Sequence, residues 1–345
     1  MSATESHIKR CLELAKIGLA DAIPNPAVGC VIVYENRIIG EGFTSPYGGN
    51  HAEVNAINSV ENQSLLAEST LYVSLEPCAH FGKTPPCSHL IIEKNVKRVV
   101  IACLDPFAEV NGLGIKRLME KGVDVKVGVL EQEAQELNKR FFTFHEKKRP
   151  YIILKWAETN DGFVDGLRND KSSSSLKITG EASNILVHKW RSEEQAIMVG
   201  RNTALLDNPS LTTRNYEGKS AIRILLDSNC STPKTAAVLN SDARTIVINS
   251  IKDKKEGTVE YVRIENLADI NSILSKLYDL NIQSVLVEGG PTLHHSFYKT
   301  GNWDEIRRFV SPDSIEFGIE AMKLKIESNK TNTIGVDKLY TYPKP

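Results

Sequence analysis

Apolar positions along the first 150 residues change period several times, and each change predicts an element. Ile8, Cys11, Leu12, Ala15 and Leu19 recur at helical spacing and predict an amphipathic helix over 6–20. Pro24 and Pro26 end it and hold Asn25 in a tight loop. Val28 to Tyr34 and Arg37 to Gly42 read as two strands joined at a Glu35-Asn36 turn, which is a hairpin signal. Helical periodicity returns over His51 to Val60, after the Gly48-Gly49 break. Leu71 to Leu75 and Arg98 to Cys103 are short buried strands, while Ser88 to Lys94, Ile115 to Glu120 and Glu131 to His145 read as helices. Strands and helices alternating in this way predict a three-layer α/β domain.

That pattern runs into Lys147-Lys148-Arg149-Pro150, a basic, proline-terminated stretch that predicts a domain boundary, with one domain over 1–147 and another over 148–345. Beyond it the alternation starts afresh. Strands are predicted at Tyr151 to Trp156, Ala196 to Val199, Ile222 to Leu226, Thr245 to Ile248, Val259 to Arg263, Ser284 to Val287 and, as the final core strand, Glu305 to Val310. Helices are predicted at Glu181 to Trp190 and Ala268 to Leu280. Ser172 to Ser175 is a low-complexity loop. The halves share no spacing of motifs, so they are different domains and not a duplication.

Composition agrees with two domains and narrows the partners. A chain of 345 residues is too long for one ordinary core. Hydrophobic residues at 41% and charged residues at 25% give the balance of a globular protein. A formal net charge of -1 supplies no field to hold nucleic acid or an anionic membrane, so a small-molecule substrate is expected and neither of those partners is. No apolar run approaches the roughly 20 residues of a membrane span, and the N-terminus lacks a secretory pattern, so a cytoplasmic protein is expected. Six cysteines are too sparse for a disulfide framework. Cys11, Cys30, Cys103 and Cys230 lie in apolar stretches and read as small core hydrophobes.

The other two cysteines carry chemistry. His51-Ala52-Glu53 opens a predicted helix, Pro77-Cys78 follows a strand, and Cys87 heads another helix. Taken singly, His51 reads as a helix cap and the cysteines as structural. Taken in order, they form a three-ligand zinc set, which leaves a fourth tetrahedral position for water whose pKa zinc lowers to about 7. Glu53 is then placed to shuttle protons without being a ligand, as in the H-x-E with P-C-x-x-C pattern of zinc deaminases. Here eight residues separate the two cysteines.

Three longer stretches are more specific: Pro24-Asn25-Pro26-Ala27-Val28-Gly29, Gly49-Asn50-His51-Ala52-Glu53-Val54-Asn55-Ala56, and Leu75-Glu76-Pro77-Cys78-Ala79-His80-Phe81-Gly82-Lys83-Thr84-Pro85-Pro86-Cys87. Together they resemble the RibD family of riboflavin-biosynthesis proteins, and the resemblance runs over nearly the whole chain. It implies a cytidine-deaminase-like first domain with a mixed sheet and a dihydrofolate-reductase-like α/β second domain. The implied activity is bifunctional: zinc-dependent deamination of a diaminopyrimidinone ribosylamino 5′-phosphate, then reduction of the ribosyl group to ribityl by NADPH. The family also implies a homo-oligomer. By the same resemblance Asn25, His80 and Lys83 contact the pyrimidine or its ribose phosphate. Asn offers both a donor and an acceptor to a ring edge, and Lys a point charge to a phosphate. Asp105-Pro106 matches a family loop in which Phe107 replaces the usual Asn, and Thr44 replaces a usual His.

In the second half the family's motifs recur in order, from Leu154-Lys155 and Asp161-Gly162 through Asn208-Pro209-Ser210-Leu211 to Val287-Glu288-Gly289-Gly290-Pro291. Two glycines after a buried strand let backbone approach a ligand, and the helix that follows offers unpaired N–H groups to phosphate. The resemblance places Ala157, Lys177, Thr203, Asp207, Ser228, Gly290, Pro291, Thr292, Leu293, His294, His295 and Ser296 on the NADPH side. It places Lys155, Ser175, Arg191, Leu211, Arg214 and Glu288 on the substrate side, where guanidinium forks suit a 5′-phosphate. Lys177 stands where the family has Trp, and 311–325 lacks its glycine-rich stretch. Two alternatives stay open: an active deaminase joined to a degenerate reductase-like domain, and an RNA-editing deaminase relative. The neutral charge and the lack of aromatic-basic interleaving oppose the latter.

Overall fold

The structure, a computed structural model, describes residues 2–79, 85–107, 110–168 and 175–344. It divides into two compact units, Met1–Lys148 and Arg149–Pro345.

The first unit runs α1 (Ala3–Gly18), β1 (Gly29–Tyr34), β2 (Arg37–Phe43), α2 (Ala52–Ser59), β3 (Thr70–Val73), α3 (Cys87–Glu93), β4 (Arg98–Ile101), α4 (Leu113–Glu120), β5 (Asp124–Val127), α5 (Glu131–Leu137) and α6 (Lys139–Lys147). Its sheet has the order β2-β1-β3-β4-β5. The hairpin β1–β2 and the pair β1–β3 are antiparallel, whereas β3, β4 and β5 are parallel. Glu35 and Asn36 both take positive φ, as a two-residue hairpin turn that follows the strand twist requires.

Glycines set the layer spacing. A Cβ on Gly29 would come within 1.9 Å of the Cys11 carbonyl on α1, and one on Gly42 within 2.4 Å of the Ala56 nitrogen on α2. Gly29 pairs with Phe43 and Cys30 with Gly42, and opposed residues share a face while neighbours alternate. Hence α1 and α2 lie on opposite faces of the sheet, giving the expected three layers.

The helix predicted over 6–20 begins earlier, because Ser2 and Glu5 form a reciprocal capping box, and it stops before Leu19, which is only half-buried. The helix predicted over 131–145 is two helices. At Asn138 the backbone leaves helical geometry, and the buried amide accepts from the Ala27 N–H and donates to the Ala27 carbonyl, both at 2.9 Å. Strand β5 is not among the predicted elements: Asp124 and Lys126 interrupt its apolar signal because it lies at a sheet edge. Cys11, Cys30 and Cys103 are buried and Cys230 is half-buried.

The second unit contains β6 (Tyr151–Glu158), β7 (Phe163–Asp165), α7 (Glu181–Glu193), β8 (Ala196–Gly200), α8 (Arg201–Asp207), β9 (Ile222–Leu226), β10 (Thr245–Asn249), β11 (Lys254–Glu256), β12 (Val259–Arg263), α9 (Ile270–Asp279), β13 (Ser284–Val287), α10 (Pro291–Lys299), β14 (Glu305–Val310), β15 (Ile319–Glu320), β16 (Lys330–Ile334) and β17 (Asp337–Pro343). Ten strands form one mixed sheet in the order β11-β12-β10-β9-β8-β13-β6-β14-β17-β16. Along central β6, Ile152, Leu154 and Trp156 pack into the core that holds Leu274 of α9 and Phe297 of α10, while Tyr151 and Ile153 pack with Val187 and Trp190 of α7. Strict alternation of this kind marks a sheet covered on both faces. Strand β14 is not the last core strand: β17 pairs with it antiparallel along its full length and β16 pairs with β17. These two C-terminal strands are rich in Lys and Thr and half-exposed, so their apolar signal is weak.

Candidate functional site

In the first unit, the start of α2 brings His51 and Glu53 to the centre. His51 is the residue before the helix, yet its side chain makes no capping bond, which leaves the imidazole for other work. Glycines at 40 and 42 let the helix lie against β2, and the Asn55 amide donates to the Phe43 carbonyl at 2.8 Å. Cys78 lies in the loop after β3, and Cys87 is the first residue of α3. His51 Nδ1 lies 3.6 Å from Cys78 Sγ and 3.3 Å from Cys87 Sγ.

Among the described residues these three form the one group of metal-ligating side chains, with donor atoms all within 4.8 Å of one another. Zinc bonds of about 2.3 Å to sulfur and about 2.0–2.1 Å to nitrogen, at tetrahedral angles, put neighbouring donors roughly 3.6 Å apart. The donor set therefore fits zinc in both chemistry and span.

Mutual hydrogen bonds and burial shift the acidities within this set. The Cys78 thiol is held down to about 4, first by its hydrogen bond with the Cys87 thiol, against burial, and then by His51. The same thiol pair and burial push Cys87 well above its usual range. The Cys87 backbone N–H donates to Cys78 Sγ at 3.2 Å. His51 is pushed up to about 9, chiefly by its hydrogen bond with Cys78. Glu53 is buried beside them, and burial, partly offset by the His51 charge, raises its carboxyl to about 7. Burial likewise raises Asp105 to about 7, opposed by the Phe107 N–H and assisted by Glu76.

Asn25 sits half-buried on the loop that begins with the cis Ile23–Pro24 bond and that Asn138 clamps at Ala27. Thr44 is buried behind this loop, its hydroxyl accepting from the Val28 N–H at 3.0 Å. His80 and Lys83 lie outside the described residues. Sequence reasoning missed Asn138, which looks like an ordinary helix position, and Glu76. A carboxylate between Leu75 and Pro77 at the end of a buried strand was the available signal for Glu76.

The second unit contains a pocket of about 510 Å³ lined by Lys155, Ala157, Ser175, Lys177, Thr203, Asp207, Glu288, Gly290, Pro291, Thr292 and His294, among others. Helices α8 and α10 both begin at a glycine with no side-chain cap, and the first turn of each lines this pocket. Uncapped helix N-termini are ready-made anion sites. Gly290 and Thr203 are neighbours across the pocket: a Cβ on Gly290 would be in ordinary contact with Thr203 Oγ1.

Arg191, behind the pocket lining, donates to the lining residue Glu288 from Nε (3.1 Å) and Nη2 (2.7 Å), and Lys155 Nζ lies 3.9 Å from the same carboxylate. Burial disfavours the Glu288 charge, but Arg191 and Lys155 overcome it and hold the carboxyl at about 2. Burial pulls Lys155 below its ordinary value. His294 is buried and pulled down to about 4 by burial, its Nε2 lying 3.0 Å from the Val287 carbonyl.

Other expected residues lie away from the pocket lining. The Arg191 fork is committed to Glu288, and Leu211 is buried in a separate apolar cluster with φ 55. Arg214 is exposed and donates to the Ser210 hydroxyl, while Ser228 and His295 are also exposed. Ser296 donates to the Thr292 carbonyl within α10, and Leu293 packs on the core. Asp207 is bridged by Arg168 at 2.5 Å, a pocket residue that sequence reasoning did not single out.

Residues 1–103 match the cytidine and deoxycytidylate deaminase zinc-binding region, and residues 150–315 match the RibD C-terminal domain. The fold and the two sites thus define a zinc-dependent deaminase joined to an NADPH-dependent reductase. The chain is 40% identical over 348 residues to the riboflavin biosynthesis protein RibD of Aquifex aeolicus (strain VF5), covering 96% of each chain. It is 40% identical over 318 residues to that of Bacillus amyloliquefaciens, covering 89% of this chain and 84% of the relative. A crystal structure of a Thermotoga maritima diaminohydroxyphosphoribosylaminopyrimidine deaminase/5-amino-6-(5-phosphoribosylamino)uracil reductase superimposes with a TM-score of 0.89 at 37% identity over 99% of both chains. The chain belongs to the RibD family, the bifunctional deaminase and reductase of riboflavin biosynthesis. Nothing found favours a degenerate reductase or an RNA-editing relative. Among the described residues no helix is long and apolar enough to cross a membrane.

Proposed function

We propose that the first unit deaminates 2,5-diamino-6-ribosylamino-4(3H)-pyrimidinone 5′-phosphate and that the second reduces the ribosyl group of the product to ribityl with NADPH. The observation that carries this reading is the convergence of His51, Cys78 and Cys87 on one point beside buried Glu53. Zinc held there would supply Lewis acidity and lower the pKa of water. Glu53, buried beside the three ligands, takes a proton from the attacking water and returns it to the departing amine. The ring carbon exchanges nitrogen for oxygen, and ammonia leaves.

Substrate contacts are assigned by family resemblance. Asn25 meets the ring edge, and His80 and Lys83 meet the ring or the ribose phosphate. In the second unit the starts of α8 and α10 suit the cofactor pyrophosphate. Ala157, Lys177, Thr203, Asp207, Ser228 and 290–296 lie on the NADPH side. NADPH supplies hydride, and this chain's residues bind and orient. By the same resemblance Lys155, Ser175, Arg191, Leu211, Arg214 and Glu288 are on the substrate side, where the guanidinium forks of Arg191 and Arg214 suit the 5′-phosphate. We further infer a cytoplasmic homo-oligomer that takes small molecules and neither nucleic acid nor membrane. The net charge of -1 supports that choice of partner.

A coupled assay on one sample tests the reading. Ammonia release is expected from the pyrimidine phosphate, followed by loss of NADPH absorbance. Zinc-loaded protein that shows neither would overturn it.

A further inference from the structure

Glu76 is buried, two residues before Cys78, and the proposed reaction gives it no task. Its carboxylate accepts four backbone N–H groups from distant parts of the unit. Oε1 accepts from Gly114 at 2.9 Å and Ile115 at 3.4 Å. Oε2 accepts from Gly112 at 2.9 Å and Asp105 at 3.4 Å. Three of these donors belong to the start of α4, whose capping residue Gly112 takes φ 80 and has no side chain to offer. The cap therefore comes from the metal loop, 36 residues earlier in the chain.

The contact is close enough to dictate residue type. A Cβ on Gly114 would fall 2.0 Å from the Pro77 carbonyl oxygen. On the far side of Cys78, Arg117 of the same helix donates from Nη1 to the Ala79 carbonyl at 2.8 Å. Helix α4 thus grips the chain on both sides of one metal ligand, with its start on one side and Arg117 of its last turn on the other, while Ser88 donates from N (3.2 Å) and Oγ (2.9 Å) to the carbonyl of Cys78 itself. Through its Asp105 bond the same carboxylate also fixes the loop carrying Asp105 and Phe107 beside this centre.

We propose that Glu76 is a positioning residue of the zinc centre: by holding the start of α4 against Pro77, it sets where the Cys78 sulfur meets the metal and where the Asp105 loop stands. An acceptor-only group is required, since all four of its partners are donors. This inference rests on His51, Cys78 and Cys87 being the zinc ligands.

The test uses the full chain. Glu76→Gln keeps the shape but turns an NH₂ toward two N–H donors. Outer-shell changes typically cost about 10–100-fold in metal affinity or activity, and a loss of that order is expected in zinc affinity, measured by competition with a chromogenic chelator. In cobalt-substituted protein the d–d bands should shift, and with saturating zinc kcat for ammonia release should fall more than KM rises. NADPH oxidation by the same preparation reports an intact second unit. If Glu76→Gln does not fold, Arg117→Met breaks only the outer half of the grip, and a smaller loss of zinc affinity is expected. Parental zinc affinity and cobalt spectrum in every variant that folds would overturn the proposal. Cys78→Ala separates it from the underlying reading: if that variant keeps parental zinc affinity, the ligand set is wrong and this proposal falls with it.

Discussion

The two sites are built by opposite means. In the first unit the metal-ligating side chains come from within 37 residues of sequence, His51 to Cys87, and the His51 nitrogen meets both thiols at hydrogen-bond distance. In the second unit the pocket draws on residues from Lys155 to Ile319 and is shaped largely by strand ends, two glycine-capped helices and a buried ion cluster. The metal centre needs few residues of fixed type, because zinc demands particular donors at particular distances. A dinucleotide pocket needs volume and backbone N–H groups, which many residue types supply. The first site should therefore fail sharply with one atom, and the second by loosening.

The largest expected effect breaks chemistry in one unit and spares the other. Glu53→Gln should lower kcat for ammonia release by about 10²–10⁴ while NADPH oxidation on supplied intermediate stays at the parental rate. A loss in both activities would show that the units are not separable in this way.

Next is Glu288→Gln, which leaves Lys155 and Arg191 buried without their counter-charge. Removing one partner of a buried ion pair costs about 3–5 kcal/mol. All three tryptophans, Trp156, Trp190 and Trp303, lie in the second unit, so denaturant unfolding followed by their fluorescence reads that unit alone. The pH dependence has a definite sign. The folded carboxyl sits at about 2, below an unfolded value of about 4.3. Its contribution is present above pH ~4.3 and is lost as the pH falls toward 2. The parent should thus lose stability over that window more steeply than the Gln variant.

A smaller effect tests how the metal site is placed. In Gly42→Ala the new methyl meets the Ala56 nitrogen at 2.4 Å and the Ala52 carbonyl at 2.6 Å, so α2 must shift. Overpacking of this kind costs about 1–3 kcal/mol, and zinc affinity should fall with thermal stability because α2 presents His51. The smallest effect is a control. Arg98 and Asp124 pair at 2.9 Å with side chains 63% and 66% exposed, so Arg98→Ala should move the melting temperature very little.

How much of this could be read in advance differs between the units for the same reason. His51, Glu53, Cys78 and Cys87 stood out because each is a rare residue type in an otherwise ordinary local pattern. The periodicity over 131–145 predicts one helix because Asn138 fits a helix interior, and the break comes from Ala27, 111 residues away, which needs both a donor and an acceptor. Glu76 carries a visible signal, a carboxylate just after a buried strand, but its four partners lie on other segments. Strands β16 and β17 show little periodicity because both are rich in Lys and Thr and half-exposed at the end of the sheet.

The sequence by itself determined the alternating α/β character and a His-Cys-Cys set suited to zinc. These rest on local periodicity and on side-chain chemistry that does not depend on distant neighbours. Tertiary structure alone decided that Glu76 caps α4, that Asn138 breaks a helix to hold the Asn25 loop, and that Arg191 binds Glu288. In each case a buried polar group left unpaired would be costly, and its partner is chosen by proximity in space, to which spacing along the chain is no guide.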